Sequence, residues 1–283
     1  DLTLTHEGDY AENLHHKDSL GNFFEIVVRD LNHEELTLFQ KNEQQMKEKG
    51  VFNFFDSQRF GYAGNSHITG MHAIRKDYRS ALLTILTSLP ENIKPELKTF
   101  HDFINDTEKD FGTKQHAENA LSILPQYLKE EQRILKYIKK NPADFRGAYA
   151  CISRRLRFLY LTSFQSFVFN RTLELLISNH THIPEELCLI AEHASYQPEI
   201  EHIVESILEE YHISRQDFGN LKDDGFRLDP CLRKTRCMVK NLATEAGAPD
   251  EFFEGKYKIK LSFSLEPGMY ATNVVKSFFY LQP

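Results

Sequence analysis

Residues 22–30 alternate: Phe24, Ile26 and Val28 fall on one side of an extended segment and Phe23, Glu25, Val27 and Arg29 on the other. That period of two predicts a strand with one face buried more deeply than the other. Asn32 follows, with Glu35 three residues on in capping-box spacing, and Leu36, Phe39 and Met46 lie near one face of a helix that Gly50 ends. Residues 51–70 mix Gly, Asn and aromatic residues without a clean period and read as an ordered functional loop. The middle of the chain then takes helical spacing, as in Leu156, Leu159, Tyr160, Phe164 and Phe167, and again in Ile200, Ile203, Val204, Ile207, Leu208 and Tyr211. Near the end, Tyr257, Ile259, Leu261, Phe263 and Leu265 alternate with Lys258, Lys260, Ser262 and Ser264, the strongest strand signal in the chain. Pro267-Gly268 forces a turn, after which Met269 to Phe279 can form a short helix with Val274, Val275 and Phe278 inward.

The order is therefore α+β, then helical, then β, which a β-containing domain interrupted by a helical insertion explains. With 283 residues, 41% of them hydrophobic, the chain can build one large core or two ordinary ones. No long Pro, Gly or Ser tract interrupts it, so the bulk of the chain is expected to be ordered. The apolar stretch Leu156 to Phe169 is too short to span a bilayer and is broken by Thr162, Ser163, Gln165 and Ser166, so it reads as a buried helix. Four cysteines without paired spacing and no signal-peptide pattern point to the cytoplasm and to no disulfides. The chain starts at Asp1 rather than at a methionine, which implies processing or a boundary within a longer protein.

A net charge of −7 argues against indiscriminate nucleic-acid binding, yet the distribution is uneven. From Arg133 to Arg171 the basic residues Arg133, Lys136, Lys139, Lys140, Arg146, Arg154, Arg155, Arg157 and Arg171 face one acidic residue, Asp144. Such a run fits either an RNA-backbone surface or a solvated helix face. Lys234, Arg233, Arg236 and Lys240 form a weaker cluster. The histidine pairs His15-His16 and His180-x-His182 have no Cys or carboxylate at structural-zinc spacing, so no metal site is expected.

Four motifs remain. Gly21-Asn22-Phe23-Phe24 opens the first strand; Asn53-Phe54-Phe55 precedes Gln58-Arg59-Phe60-Gly61 and Gly64-Asn65; Gln165-Ser166-Phe167-Val168-Phe169-Asn170 lies in a helical segment; Pro267-Gly268-Met269-Tyr270-Ala271-Thr272 ends the series. In this order, over most of the chain, they resemble the TruD family of tRNA pseudouridine synthases. The resemblance implies an α+β catalytic domain of pseudouridine-synthase type, a mixed sheet with helices, over residues 1–75 and 231–283. A mostly helical TruD-type insertion domain over 76–230 would interrupt it. It further implies a monomeric isomerase, not membrane-bound, that converts uridine to pseudouridine, at position 13 of certain tRNAs, with no metal or organic cofactor.

The site residues follow from the same motifs. Asn22 matches the family's active-site asparagine and Phe24 its aromatic partner, on one face of a strand; read locally they are a turn asparagine and a core phenylalanine. Tyr270 falls where the family places a residue that stacks on the flipped base, and read locally is a core tyrosine. Gln58 and Arg59 belong to a supporting loop, where Arg59 can hold a phosphate, brace a carboxylate or stabilise the loop itself. Gln165 and Asn170 read as a buried polar pair orienting helices. Arg154, Arg155, Arg157, Lys139 and Lys140 are the RNA-backbone candidates. The family's nucleophilic aspartate lies in a Gly-x-Lys-Asp-basic-x-Ala-x-Thr segment before the Gly-Asn-x-Phe motif, and no part of this sequence carries that pattern. Lys-Asp pairs occur at Asp18, Asp77, Asp110 and Asp223, but the third residue after each is Gly21, Ser80, Thr113 or Phe226 instead of Ala. The catalytic aspartate is thus expected on a segment upstream of Asp1 or on a separate polypeptide; the alternative is an RNA-binding remnant without catalysis.

Overall fold

In the computed structural model the described residues are 5, 8, 19–88 and 94–280, the Ala246 side chain excepted; Asp18, His15 and His16 lie outside them. In chain order the strands and α-helices begin with β1 (Asn22–Leu31), α1 (His33–Lys49) and β2 (Val51–Phe52). There follow α2 (Ser66–Ile74), α3 (Tyr78–Leu86), α4 (Pro95–Asp106), α5 (Lys114–Ile123), α6 (Lys129–Lys140), α7 (Phe145–Ala150), α8 (Arg154–Ser178), β3 (Glu186–Cys188), α9 (Pro198–Glu210), α10 (Arg215–Gly219) and β4 (Leu232–Lys234). The chain closes with β5 (Arg236–Cys237), β6 (Lys240–Pro249), β7 (Tyr257–Leu265) and α11 (Ala271–Ser277). The fold is α+β, and among the described residues no helix is long and apolar enough to cross a membrane.

Contacts divide the chain into a smaller unit, the described residues up to Asn53 and from Arg236 onward, and a larger unit, Phe54–Thr235. Val51 pairs with Cys237 and Phe52 with Arg236, so the chain leaves and re-enters the smaller unit at adjacent ladder positions, as a tolerated insertion requires. The division falls at Asn53 and Arg236, where the sequence reading set boundaries at 75 and 231. The reason is physical: residues 55–59 are hydrogen-bonded to α8 and therefore belong with the helices.

The smaller unit is a three-stranded antiparallel sheet of order β1-β7-β6 with α1 and α11 on its apolar face. Ile259, Leu261, Phe263 and Leu265 of β7 are buried against Leu36, Phe39 and Met46 of α1 and Val274 and Phe278. The Phe39 and Phe278 rings stack at 4.6 Å. The capping box at the start of α1 is formed: Asn32 Oδ1 accepts from Glu35 N–H at 2.9 Å and Asn32 N–H donates to Glu35 Oε2 at 2.8 Å. Buried Asn42 on the same helix donates through Nδ2 to the carbonyls of Phe278 and Tyr280 at 2.9 and 2.8 Å, anchoring the chain just after α11.

In the larger unit α2 packs closely on α8. A Cβ at Gly70 would lie 2.0 Å from the Tyr160 carbonyl oxygen, so only glycine permits this approach. This also explains why residues 66–70, expected as loop, begin a helix. That helix buries Ser66, Thr69, Gly70, Ala73 and Ile74, a small and polar face without the apolar period that would announce it.

Candidate functional site

The β1–β7 register sets the geometry at one end of the smaller sheet. Asn22 pairs with Leu265 and Phe24 with Phe263. Gly21 sits at φ 148, and a Cβ there would meet the Leu265 carbonyl oxygen at 2.4 Å, so the Gly-Asn motif needs its glycine to begin the ladder. From Leu265 the chain turns through Pro267 and Gly268, with Met269 N–H donating to Glu266 O at 3.4 Å, and reaches Tyr270. Tyr270 is the N-terminal cap residue of α11, its carbonyl accepting from Asn273 and Val274 N–H. Asn22 and the turn leading to Tyr270 therefore share one sheet end. Asn22 is exposed and Tyr270 half-buried. Phe24 is half-buried, its ring 5.5 Å from that of Phe263, so part of it serves the core as the local reading held.

In the larger unit the two middle motifs meet. Asn170 on α8 makes an amide pair with the Phe55 backbone, Oδ1 accepting from Phe55 N–H and Nδ2 donating to Phe55 O, both at 2.8 Å. Arg59 Nε donates to Ser166 Oγ at 3.0 Å, and Ser163 Oγ donates back to Arg59 O at 2.9 Å. Of the uses open to Arg59, the loop-stabilising network is realised, while Gln58 beside it is exposed. Gln165 Nε2 donates to Ile190 O at 2.6 Å, tying α8 to the segment after β3 rather than to another helix. The Arg233 guanidinium lies 3.9 Å from the Phe55 ring centroid and 5.5 Å from that of Phe169. Arg236, in the smaller unit, lies 4.0 Å over Phe52. These two members of the weaker basic cluster thus rest on aromatic faces.

Most residues of the main basic run have partners nearby. Arg133 pairs with Glu130, Lys139 with Glu118, Arg146 with Asp224 and Arg171 with Glu174. Arg154 Nη2 donates to Gly225 O at 2.7 Å and Arg157 Nε to Ile152 O at 3.1 Å. Lys140 and Arg155 are exposed. Three of the four Lys-Asp pairs lie among the described residues: Asp77 caps α3 by accepting from Ser80 N–H, Asp223 pairs with Lys76 at 2.7 Å, and Asp110 is exposed in a short turn. All three belong to the larger unit.

One feature had no sequence signal. A cavity of about 400 Å³ in the larger unit is lined by Asn65, Ser88, His101, Glu131 and Tyr160 among apolar side chains. Burial raises the Glu131 carboxyl, helped by Glu130, and lowers the His101 imidazole. Its walls come from several helices, so no local pattern marks it.

The sequence profile of the family described as tRNA pseudouridine synthase D (TruD) matches residues 1–196. A probable tRNA pseudouridine synthase D 2 of Methanocaldococcus jannaschii is 26% identical over 93% of this chain and 67% of its own length. The tRNA pseudouridine synthase D of Aquifex aeolicus is 24% identical over 92% of this chain and 69% of its own. The multisubstrate pseudouridine synthase 7 of Schizosaccharomyces pombe is 32% identical over 61% of this chain and 25% of its own. In fold, the crystal structure of the putative TruD from Methanosarcina mazei superposes with a TM-score of 0.78 at 23% identity, covering 94% of this chain and 70% of that one. The profile covers more than half of the chain and includes the Gly-Asn strand, the aromatic loop and the α8 motif, and on that ground the chain belongs to the TruD family of tRNA pseudouridine synthases.

Proposed function

We propose that this chain supplies the base pocket and the RNA-holding surface of a TruD-type enzyme that isomerises uridine to pseudouridine in tRNA, at position 13 by family resemblance. The observation that supports it most is the β1–β7 register, which sets Asn22 beside the turn leading to Tyr270 although 248 residues separate them. The smaller unit is then the catalytic domain and the larger unit the family's insertion.

The reaction breaks the N1–C1′ bond, turns the freed uracil, and forms C5–C1′, with the proton leaving C5 and one gained at N1. A detached base has to be held, and an aromatic face together with an amide that reads a base edge serves that need. Tyr270 and Phe24 are the aromatic candidates, Asn22 the edge reader. The nucleophile is a carboxylate at the sugar. Asp77, Asp110 and Asp223 lie outside the smaller unit, and two of them are committed to a helix cap and an ion pair. In this reading the carboxylate belongs to the family's Lys-Asp-basic-x-Ala-x-Thr pattern, which this sequence lacks, and is supplied by an upstream segment or a separate polypeptide. Joining or mixing the chain with an upstream TruD segment that carries Lys-Asp-basic-x-Ala-x-Thr should yield pseudouridine in tRNA, read by mass spectrometry. A mixture that binds tRNA yet leaves it unmodified makes the chain an RNA binder instead.

A further inference from the structure

The first turns of α8 and the loop from Lys222 to Arg227 enclose a concavity of about 510 Å³, lined by Arg154, Phe158, Lys222, Gly225, Phe226 and Arg227. One wall is a stack. The Phe158 and Phe226 rings lie 6.3 Å apart at 21°, and the guanidiniums of Arg154 and Arg157 lie 5.3 and 5.1 Å from the Phe226 centroid. The hydrogen bonds of Arg154 to Gly225 O and of Arg157 to Ile152 O commit both arginines to holding Phe226 in place. Phe158 ends the stack at 44% exposure, a large apolar ring kept in water.

The rim is cationic. Lys222 is exposed, and Arg227 has 86% of its side chain exposed. Its ion pair with Asp229 is between two exposed groups, and such pairs are worth little and exchange readily for a better anion. Of the nearby carboxylates, Asp223 lies near Lys222 but is ion-paired to Lys76, and Asp224 accepts from Arg146 and Tyr78. An acidic peptide would use the cations and leave the ring unused, and a base-paired duplex has no free base to stack. An exposed aromatic face at the end of an ordered stack, with cations beside it, matches an unpaired nucleotide.

We propose that this concavity binds one unpaired nucleotide of the RNA substrate, its base on Phe158 and its flanking phosphates on Lys222 and Arg227. The proposal rests on the RNA reading above and adds a stacking subsite in the larger unit. To test it, the full chain is titrated with a fluorescein-labelled oligouridylate and with a blunt RNA duplex of equal length, over a range of salt concentrations. Phe158→Ala and Phe158→Leu should each weaken oligouridylate binding roughly 5- to 100-fold, leave the salt slope unchanged and leave duplex binding unchanged. Phe158→Leu keeps apolar volume without the π-face, which separates stacking from packing. Lys222→Ala and Arg227→Ala should each lower the slope of log affinity against log salt by about 0.7. Oligouridylate binding that survives both Phe158 variants, or slopes unmoved by the two cation variants, overturns the subsite while the RNA reading stands. A wild-type chain that binds neither RNA overturns both.

Discussion

Asn170→Ala removes both hydrogen bonds by which α8 grips the Phe55 peptide, whose N–H and C=O each lie 2.8 Å from the amide. A neutral hydrogen bond contributes about 1 kcal/mol net, and a buried peptide group left without its partner costs about 1–3 kcal/mol. This site is only partly buried, so water moderates the penalty, and a total of about 2–3 kcal/mol is expected. The loss is local, because the Arg233 stack on the Phe55 ring and the Arg59–Ser166 bond stay in place. Hydrogen exchange at the Phe55 amide reads it directly: about 2–3 kcal/mol corresponds to roughly 30- to 150-fold faster exchange. Asn170→Asp sharpens the test. It keeps the acceptor of the Phe55 N–H but turns the donor into an anion facing the Phe55 carbonyl, so its protection should fall between those of alanine and wild type. An Asn170→Ala amide exchanging within about twofold of wild type, or an aspartate variant equal to wild type, would refute the clamp.

Gly70→Ala should lower the denaturant midpoint, because overpacking against the Tyr160 carbonyl, about 1–3 kcal/mol, outweighs the helix-propensity gain of about 1 kcal/mol; an unchanged or higher midpoint would mean that α2 and α8 part freely. Burial opposes ionisation of Asp250, but hydrogen bonds from Phe252 N–H, Asp30 N–H and Arg29 hold its carboxyl below the usual aspartate value. A depressed folded value means stability that is present above the unfolded pKa of about 3.9 and lost as pH falls toward the folded one. Asp250→Asn should therefore flatten the acid limb of the stability curve, and parallel curves for the two proteins would remove Asp250 from that role.

What could be read in the sequence was what repeats locally. β1, α1 with its capping box, and β7 were visible because their apolar residues keep one period and their ends carry Asn32, Gly50 and Pro267-Gly268. β6 was not, because Asn241 and Gly247 take positive φ and its pairing with β7 shifts register twice, which destroys alternation. Asn42 and Asp250 are single polar letters whose buried partners are more than 200 residues away. The site shows the same limit. The motifs named Asn22, Phe24 and Tyr270, but only the strand register shows that Asn22 and the Tyr270 turn share a sheet end. The basic run reads in the sequence only as a charge excess, and the fold gives its members ion pairs, an aromatic ring to hold, or exposure.

The central claim is that Asn22, Phe24 and Tyr270 hold the uracil while it is detached from the sugar. Forming C5–C1′ expels the hydrogen at C5, so tritium release from tRNA labelled at uridine C5 follows the isomerisation itself. With the upstream segment supplied and enzyme in excess over tRNA, Asn22→Ala and Tyr270→Ala should each slow release at least about tenfold while tRNA affinity changes little, because the interaction they remove is made during the reaction. Release at the wild-type rate in both variants would contradict the account.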